Sequence, residues 1–187
     1  MTSLVIVSQE YENPIHTKAL EILCNLTRFP SNAEAMSAYP GLVDTLVVNG
    51  RSKVDNDRVW ALRALQNLSS DVAGKTVLAN AIVLELLSVS VMRQQYDEQV
   101  AAAATLYNLS TEPGAVVPLT NTKNVVATLV HVAHNPDSAS DIRLLACDAL
   151  ATLGLWLQTL AGAGTVPDDV ESIPLPSYAT SGWDRWE

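Results

Sequence analysis

The sequence predicts an all-α protein built as a helical solenoid, because one long-helix motif returns at a nearly constant interval. Copies of Asn-Leu-Ser or Asn-Leu-Thr begin at Asn25, Asn67 and Asn108, and a weaker copy has Thr152 in place of Asn. These four positions are 42, 41 and 44 residues apart. Each copy lies in a stretch whose apolar residues follow helical periodicity. A constant interval of this size is typical of solenoids, in which each repeat stacks on the next.

Within each interval, breaks at Pro, Gly, Asn and Asp separate a short, a medium and a long helix. The pattern predicts long helices near 13–28, 56–69, 94–110 and 139–160, medium helices near 41–49, 81–91 and 123–134, and short helices near 31–38 and 73–80. Residues 2–9 match the end of a medium helix, so by this register the chain starts within a repeat.

Three helix starts have recognisable capping patterns. Asn13 followed by Pro14 is a favourable cap and first turn, Ser31 with Glu34 matches a capping box, and the acidic segment 55–57 is predicted to cap a third helix.

The composition changes after the last long helix, which predicts a repeat domain at 1–165 and an irregular tail at 166–187. Gly and Pro interrupt the tail, and its five acids and one base give it a net charge of −4. Its apolar residues are candidate anchors for a partner protein, namely Ile173, Leu175, Trp183 and Trp186. Two alternatives stay open: the tail covers an exposed part of the solenoid, in the same chain or in a second copy, or it is an unstructured end or expression remnant.

The bulk properties exclude several classes of function. The formal net charge is −9, so we expect no nucleic-acid ligand, which would need a basic surface. We expect no membrane span, because no apolar run approaches the roughly 18 residues required, and the start of the chain does not resemble a signal peptide. Cys24 and Cys147 fall in apolar helices, which predicts two buried thiols and an intracellular protein, cytoplasmic or nuclear.

Three helices per unit, a period near 42 residues, and long helices that end in Ala-Leu-x-Asn-Leu-Ser resemble armadillo repeats over about residues 2–160. The related HEAT repeats have two helices per unit, so the predicted short helices favour the armadillo class. The resemblance implies a right-handed α-solenoid of about three and a half repeats.

In peptide-binding armadillo proteins, the third helix of each repeat lines a concave groove, where its Asn bonds the backbone of an extended peptide. An amide suits this role because it offers both donors and an acceptor. The resemblance therefore implies a groove containing Asn25, Asn67 and Asn108, with a weaker final position at Thr152. An alternative is that each Asn ties its own helix end to the neighbouring repeat.

The side chains one turn before each Asn distinguish this chain from the importin-α branch, which commonly has Trp there. The corresponding residues here are Glu21, Arg63, Ala104 and Asp148, so the array of Trp side chains that holds Lys is absent. Trp60 is expected either on the groove surface or packed between helices. Arg63, near the centre of the groove, is expected to favour acidic side chains of a ligand.

The remaining polar residues predict no catalytic site, cofactor or metal. His131 and His134 lack a third ligand at useful spacing and are interpreted as a surface pair. His16, Asp97 and Glu98 are expected to be solvated near helix starts. The predicted function is thus non-catalytic protein binding, as an adaptor or assembly subunit. The alternative is a purely structural subunit, or a fragment of a longer array, that self-associates through its uncapped ends.

Overall fold

A computed structural model of the chain describes residues 1–10 and 15–162. Within these two segments the chain forms eleven α-helices, one 3-10 turn at Pro113–Ala115 and no β-strand. The α-helices are α1 (Thr2–Val7), α2 (His16–Thr27), α3 (Pro30–Ser37), α4 (Leu42–Gly50), α5 (Asp55–Leu68), α6 (Val72–Leu78), α7 (Ala81–Val91), α8 (Tyr96–Ser110), α9 (Val116–Asn121), α10 (Val125–His134) and α11 (Ser140–Gly162). The all-α prediction is confirmed. The predicted start at Asn13 and Pro14 and the tail at 166–187 lie outside the described residues.

The helices pack in three sets that follow their order in the chain. The long helices α2, α5, α8 and α11 each pack on the next, and the medium helices α4, α7 and α10 do the same. The short elements α3, α6 and the 3-10 turn form the third set, and α1 packs against α2. This order matches the predicted succession of short, medium and long helices.

Leucine and alanine dominate the core between the long and medium helices. On α5, Leu62, Ala64 and Leu65 are completely buried, and on α8 a run of three alanines at 101–103 is buried. Alanine has a small side chain, so helices that present it can approach each other closely. The core therefore runs continuously from α2 to α11.

Two predicted helix caps are wrong in detail. Ser31 does not cap α3: Pro30 is its first residue, Phe29 occupies the cap position, and no side chain caps the helix. Proline is favoured in a first helical turn because its fixed φ suits the helix and its missing N–H would be unbonded there. Asp55 and Asp57 lie inside the first turn of α5, after Val54 at the cap. Acidic residues in a first turn stabilise a helix because they interact favourably with the positive end of its dipole.

The two cysteines differ in exposure, although both are free thiols. Cys24 is buried as predicted, and burial raises the pKa of its thiol. The prediction that Cys147 is buried is wrong, because it lies exposed on α11. No helix follows α11 in the described part of the chain, so nothing there covers this side of it.

Among the described helices, none is by itself long and apolar enough to cross a membrane. Helices α6 and α7 meet that criterion only when taken together, and they are bent by 91° at the break between them.

Candidate functional site

The predicted groove residues that the structure describes all lie on the long helices. Asn25 is on α2, Trp60, Arg63 and Asn67 are on α5, Asn108 is on α8 and Thr152 is on α11. We call the solvent-facing side of these four helices the long-helix surface, defined by the groove residues Asn25, Trp60, Arg63, Asn67, Asn108 and Thr152. The four predicted tail anchors, Ile173, Leu175, Trp183 and Trp186, lie outside the described residues.

Trp60 and Arg63 form one contact group at the centre of the long-helix surface. The guanidinium carbon of Arg63 lies 5.7 Å from the centre of the Trp60 ring, within the range of a cation–π contact. The same guanidinium donates to Asp97 Oδ1 on α8 at 2.8 Å. Trp60 is half-buried against the core, and the Arg63 side chain is 42% exposed. Trp60 thus both packs and supports Arg63, which holds two neighbouring long helices together at the surface.

Asn67 and Asn108 each donate a hydrogen bond to the preceding long helix. Asn67 Nδ2 lies 3.0 Å from Thr27 Oγ1 and 3.1 Å from the Cys24 carbonyl oxygen. Asn108 Nδ2 lies 2.9 Å from Ser69 Oγ. Thr27 and Ser69 are the third residues of the preceding Asn-Leu-Ser/Thr copies. Each triplet can therefore take part in two links between helices. Its Asn donates to the hydroxyl of the preceding triplet, and its own hydroxyl accepts from the Asn of the next one.

The hydroxyl of each triplet is held in place by its own helix. Thr27 Oγ1 donates to the Cys24 carbonyl, Ser69 Oγ to that of Gln66, and Ser110 Oγ to that of Tyr107. This bond leaves the oxygen lone pairs free to accept. We call the Asn-to-hydroxyl bond between successive triplets the interhelix link.

The first and last copies of the motif lack this link. Asn25 is exposed, and within the described segments its side chain makes no hydrogen bond. Thr152 Oγ1 donates to the carbonyl of Asp148 in its own helix, so Ser110 receives no donor from it. The position that would carry the last hydroxyl is Gly154.

Replacing Asn67 with alanine is expected to lower the free energy of unfolding by about 1 kcal/mol, because two neutral hydrogen bonds are lost. The loss stays this small because the Thr27 hydroxyl still donates to the Cys24 carbonyl, so both former acceptors keep a hydrogen bond. The matched control is Asn25→Ala, which changes the same motif position without a link and should stay within about 0.5 kcal/mol. Urea unfolding of both variants measures the difference. Equal stability of the two variants would show that the link contributes nothing.

A buried ionic network lies beside this surface, at the start of α8. Glu98 is fully buried, with Arg58 Nε 2.8 Å from its Oε1 and Arg93 Nη1 2.9 Å from its Oε2. The hydrogen bond with Glu98 raises the pKa of Arg58. The prediction that Glu98 is solvated is therefore wrong, whereas Asp97 beside it is half-exposed. Successive residues of a helix point about 100° apart, which accounts for the contrast.

A second buried carboxylate occupies the equivalent place on α5. Asp57 accepts from Thr17 Oγ1 at 2.7 Å and from Ser52 Oγ at 3.2 Å, and its Oδ2 lies 3.4 Å from His16 Nε2. The expectation that His16 is solvated is wrong, since it is buried against this carboxylate. Asp57 and Glu98 are 41 residues apart. This interval equals the spacing of Asn67 and Asn108, so it was the sequence signal that could have identified both carboxylates as equivalent buried residues.

His131 and His134 are both exposed on α10, as expected of a surface pair. They line an open cavity of about 430 Å³ with Val130, Asn135 and Pro136. The Nδ1 atom of His134 lies 2.8 Å from the Val130 carbonyl oxygen. Across the described segments, no group of three or more His, Cys, Asp or Glu side chains is placed to hold a metal ion.

Comparison with known proteins gives a likeness of fold. No protein-family model matches the chain. No curated protein matches it either. Among solved structures it is similar to three crystal structures of engineered proteins from the Northeast Structural Genomics Consortium, all helical.

The engineered protein of target OR329 has a TM-score of 0.72 at 22% identity, over 87% of this chain and 67% of that one. Target OR366 has a TM-score of 0.71 at 20% identity, over 87% of this chain and 69% of that one. Target OR497 has a TM-score of 0.72 at 23% identity, over 87% of this chain and 40% of that one. These likenesses concern the fold alone.

Proposed function

We propose that this chain is an armadillo-type, right-handed α-solenoid of about three and a half repeats. Its proposed function is non-catalytic: it binds an extended segment of another intracellular protein on the long-helix surface. The repeated order of short, medium and long helices and the recurring interhelix link support the proposed architecture. The protein would act as an adaptor or as a subunit of an assembly, and the long-helix surface would be its contact site.

One observation carries the proposed binding mode. The Nδ2 atoms of Asn67 and Asn108 are occupied by the interhelix link, whereas their Oδ1 atoms accept no hydrogen bond from the described residues. The link fixes the amide plane, so each Oδ1 is held in one direction. Two oriented acceptors on neighbouring long helices suit the backbone N–H groups of an extended peptide.

The spacing of the helices fits a peptide that crosses them. Packed helices are about 8–10 Å apart, and an extended chain rises about 3.3 Å per residue. A peptide would therefore advance about three residues from one long helix to the next. Its backbone N–H groups would meet Asn67 and Asn108 in turn, whatever its side chains.

Arg63 supplies the proposed preference for acidic ligand side chains. Its contacts with Trp60 and Asp97 hold the guanidinium in place while part of the side chain stays exposed. A guanidinium has five N–H donors, so it can keep Asp97 and also bind a ligand carboxylate. Asp148, at the equivalent position on α11, would disfavour an acidic residue at that end of the peptide, whereas Glu21 on α2 is already paired with Lys18 at 2.7 Å.

Blocking the long-helix surface tests this proposal. Ala104 on α8 lies one turn before Asn108 and is half-exposed, so Ala104→Arg places a long side chain there without filling the core. We expect peptides selected from a random linear library on the full chain to lose at least about tenfold in affinity, or about 1.4 kcal/mol.

The matched control is Ala127→Arg, which adds the same side chain at an exposed position of the medium helix α10. It should leave the affinity within about twofold, less than 0.5 kcal/mol. Fluorescence anisotropy measures both. Equal affinities of the two variants would show that the selected peptides bind elsewhere.

A further inference from the structure

The last long helix exposes side chains at positions that the inner long helices bury. Cys147 on α11 is at the repeat position of Leu62 on α5 and Ala103 on α8, both completely buried. Leu144 is at the position of Val59 and is 60% exposed, whereas Val59 is 8% exposed. We call this area the terminal surface, defined by Leu144, Cys147 and Leu155 of α11 together with Val130, His131 and His134 of α10.

The terminal surface lacks the hydroxyl that would accept the interhelix link from another repeat. An added repeat, or the first long helix of a second copy, would place its Asn toward the third residue of the last triplet. In the inner repeats that residue is Thr27 or Ser69, which accepts the interhelix link. On α11 it is Gly154, which has no hydroxyl. A second copy stacked in repeat register would therefore leave its Asn25 without this acceptor.

Beside the terminal surface lies an arginine at the repeat position of Arg58, which binds a carboxylate in an inner repeat. Arg143 is the fourth residue of α11, as Arg58 is of α5. Arg58 Nε donates to Glu98 Oε1 on the next long helix. Arg143 Nε is shielded from solvent and has no acceptor in the described part of the chain. A buried guanidinium donor needs a hydrogen-bond partner, and a carboxylate forms the strongest one.

The segment that follows α11 has the matching chemistry. Residues 163–187 contain five acids, one Arg and the two Trp residues Trp183 and Trp186. From Gly162 back to Arg143 the helix covers about 28 Å, at 1.5 Å per residue. Glu171 is nine residues beyond Gly162, which spans about 30 Å when extended. Glu171 is thus the first tail carboxylate whose reach matches that distance.

We propose that residues 163–187 fold back over the terminal surface of the same chain and that a carboxylate of this segment pairs with Arg143. The Trp side chains then cover Leu144, Cys147 and Leu155, with the open cavity beside His131 and His134 available to an indole ring. The proposal is independent of peptide binding on the long-helix surface.

The reactivity of Cys147 tests the proposal in the full chain. Labelling by 5,5′-dithiobis(2-nitrobenzoic acid) is followed with time, and mass spectrometry assigns the modified cysteine. We expect Cys147 to react at least tenfold faster in Arg143→Gln and in the double variant Trp183→Ala/Trp186→Ala than in the unchanged chain. The matched control is Arg28→Gln, which removes an exposed positive charge at the opposite end and should change the rate less than twofold.

Two further readouts keep the outcome unambiguous. Buried Cys24 should stay unlabelled in every variant, which shows that the helices remain folded. If Cys147 of the unchanged chain reacts as fast as a short cysteine peptide, the proposal is overturned. If Cys147 is protected only as protein concentration rises, a second copy covers the terminal surface and the proposal is also overturned.

Discussion

Replacing Glu98 with alanine is expected to lower the free energy of unfolding by about 3 kcal/mol. The carboxylate is fully buried and accepts from both Arg58 and Arg93, whose side chains are 14% and 28% exposed. Removing it leaves Arg93 without its carboxylate partner, while Arg58 keeps only its ion pair with the exposed Asp55. Loss of one member of a buried ion pair costs about 3–5 kcal/mol. The partial solvent access of the arginines places the expected loss at the lower end of that range.

The adjacent carboxylate provides the matched control. Asp97 pairs with Arg63 in an exposed setting, where an ion pair contributes about 0.2–1 kcal/mol. Asp97→Ala should therefore destabilise the protein much less than Glu98→Ala. Chemical denaturation followed by circular dichroism measures both variants. Similar losses for the two variants would mean that Glu98 is not buried between the two arginines.

Replacing Gly74 with alanine is expected to lower the free energy of unfolding by about 3 kcal/mol, the upper end for an overpacked site. A Cβ atom at Gly74 would overlap the carbonyl oxygen of Leu68 and lie 2.7 Å from its carbonyl carbon. Both are backbone atoms at the end of α5, so no side-chain rotation can relieve the contact. Helix α6 would have to move away from α5, and the packing of α3 on α6 would be lost with it.

Gly154→Ala is the control for this change. A Cβ atom at Gly154 meets nothing within 4 Å, and alanine is favoured over glycine inside a helix by about 1 kcal/mol. We therefore expect this variant to melt at a higher temperature and Gly74→Ala at a lower one. A Gly74→Ala protein as stable as the unchanged chain would show that α6 does not approach Leu68 this closely.

The order and type of the helices followed from the sequence because apolar periodicity and chain breakers are local. The medium helix predicted at 81–91 is found at Ala81–Val91, and the one predicted at 41–49 at Leu42–Gly50. Helix caps were less predictable, since several polar residues near a start compete for the role. Ser31 and Pro30 are neighbours, and the proline occupied the first turn.

The partners of the site residues could not be derived from one sequence. The register places Asn67 opposite the previous triplet, but only the packed helices show that its Nδ2 reaches Thr27 and leaves Oδ1 unbonded by the described residues. Adjacent residues can also differ completely, as Asp97 and Glu98 do. Their difference depends on which side of α8 meets α5, a property of the assembled helices.

The central claim is that the oriented Asn amides of the long-helix surface bind the backbone of an extended peptide. The most direct test follows the side-chain amide resonances of ¹⁵N-labelled protein during titration with a selected peptide. We predict that the side chains of Asn67 and Asn108 and the indole of Trp60 shift together, with the same affinity, while Asn49 on α4, buried beside Ser8, stays unchanged. Shifts confined to the medium helices, with Asn67 and Asn108 unaffected at saturation, would contradict it.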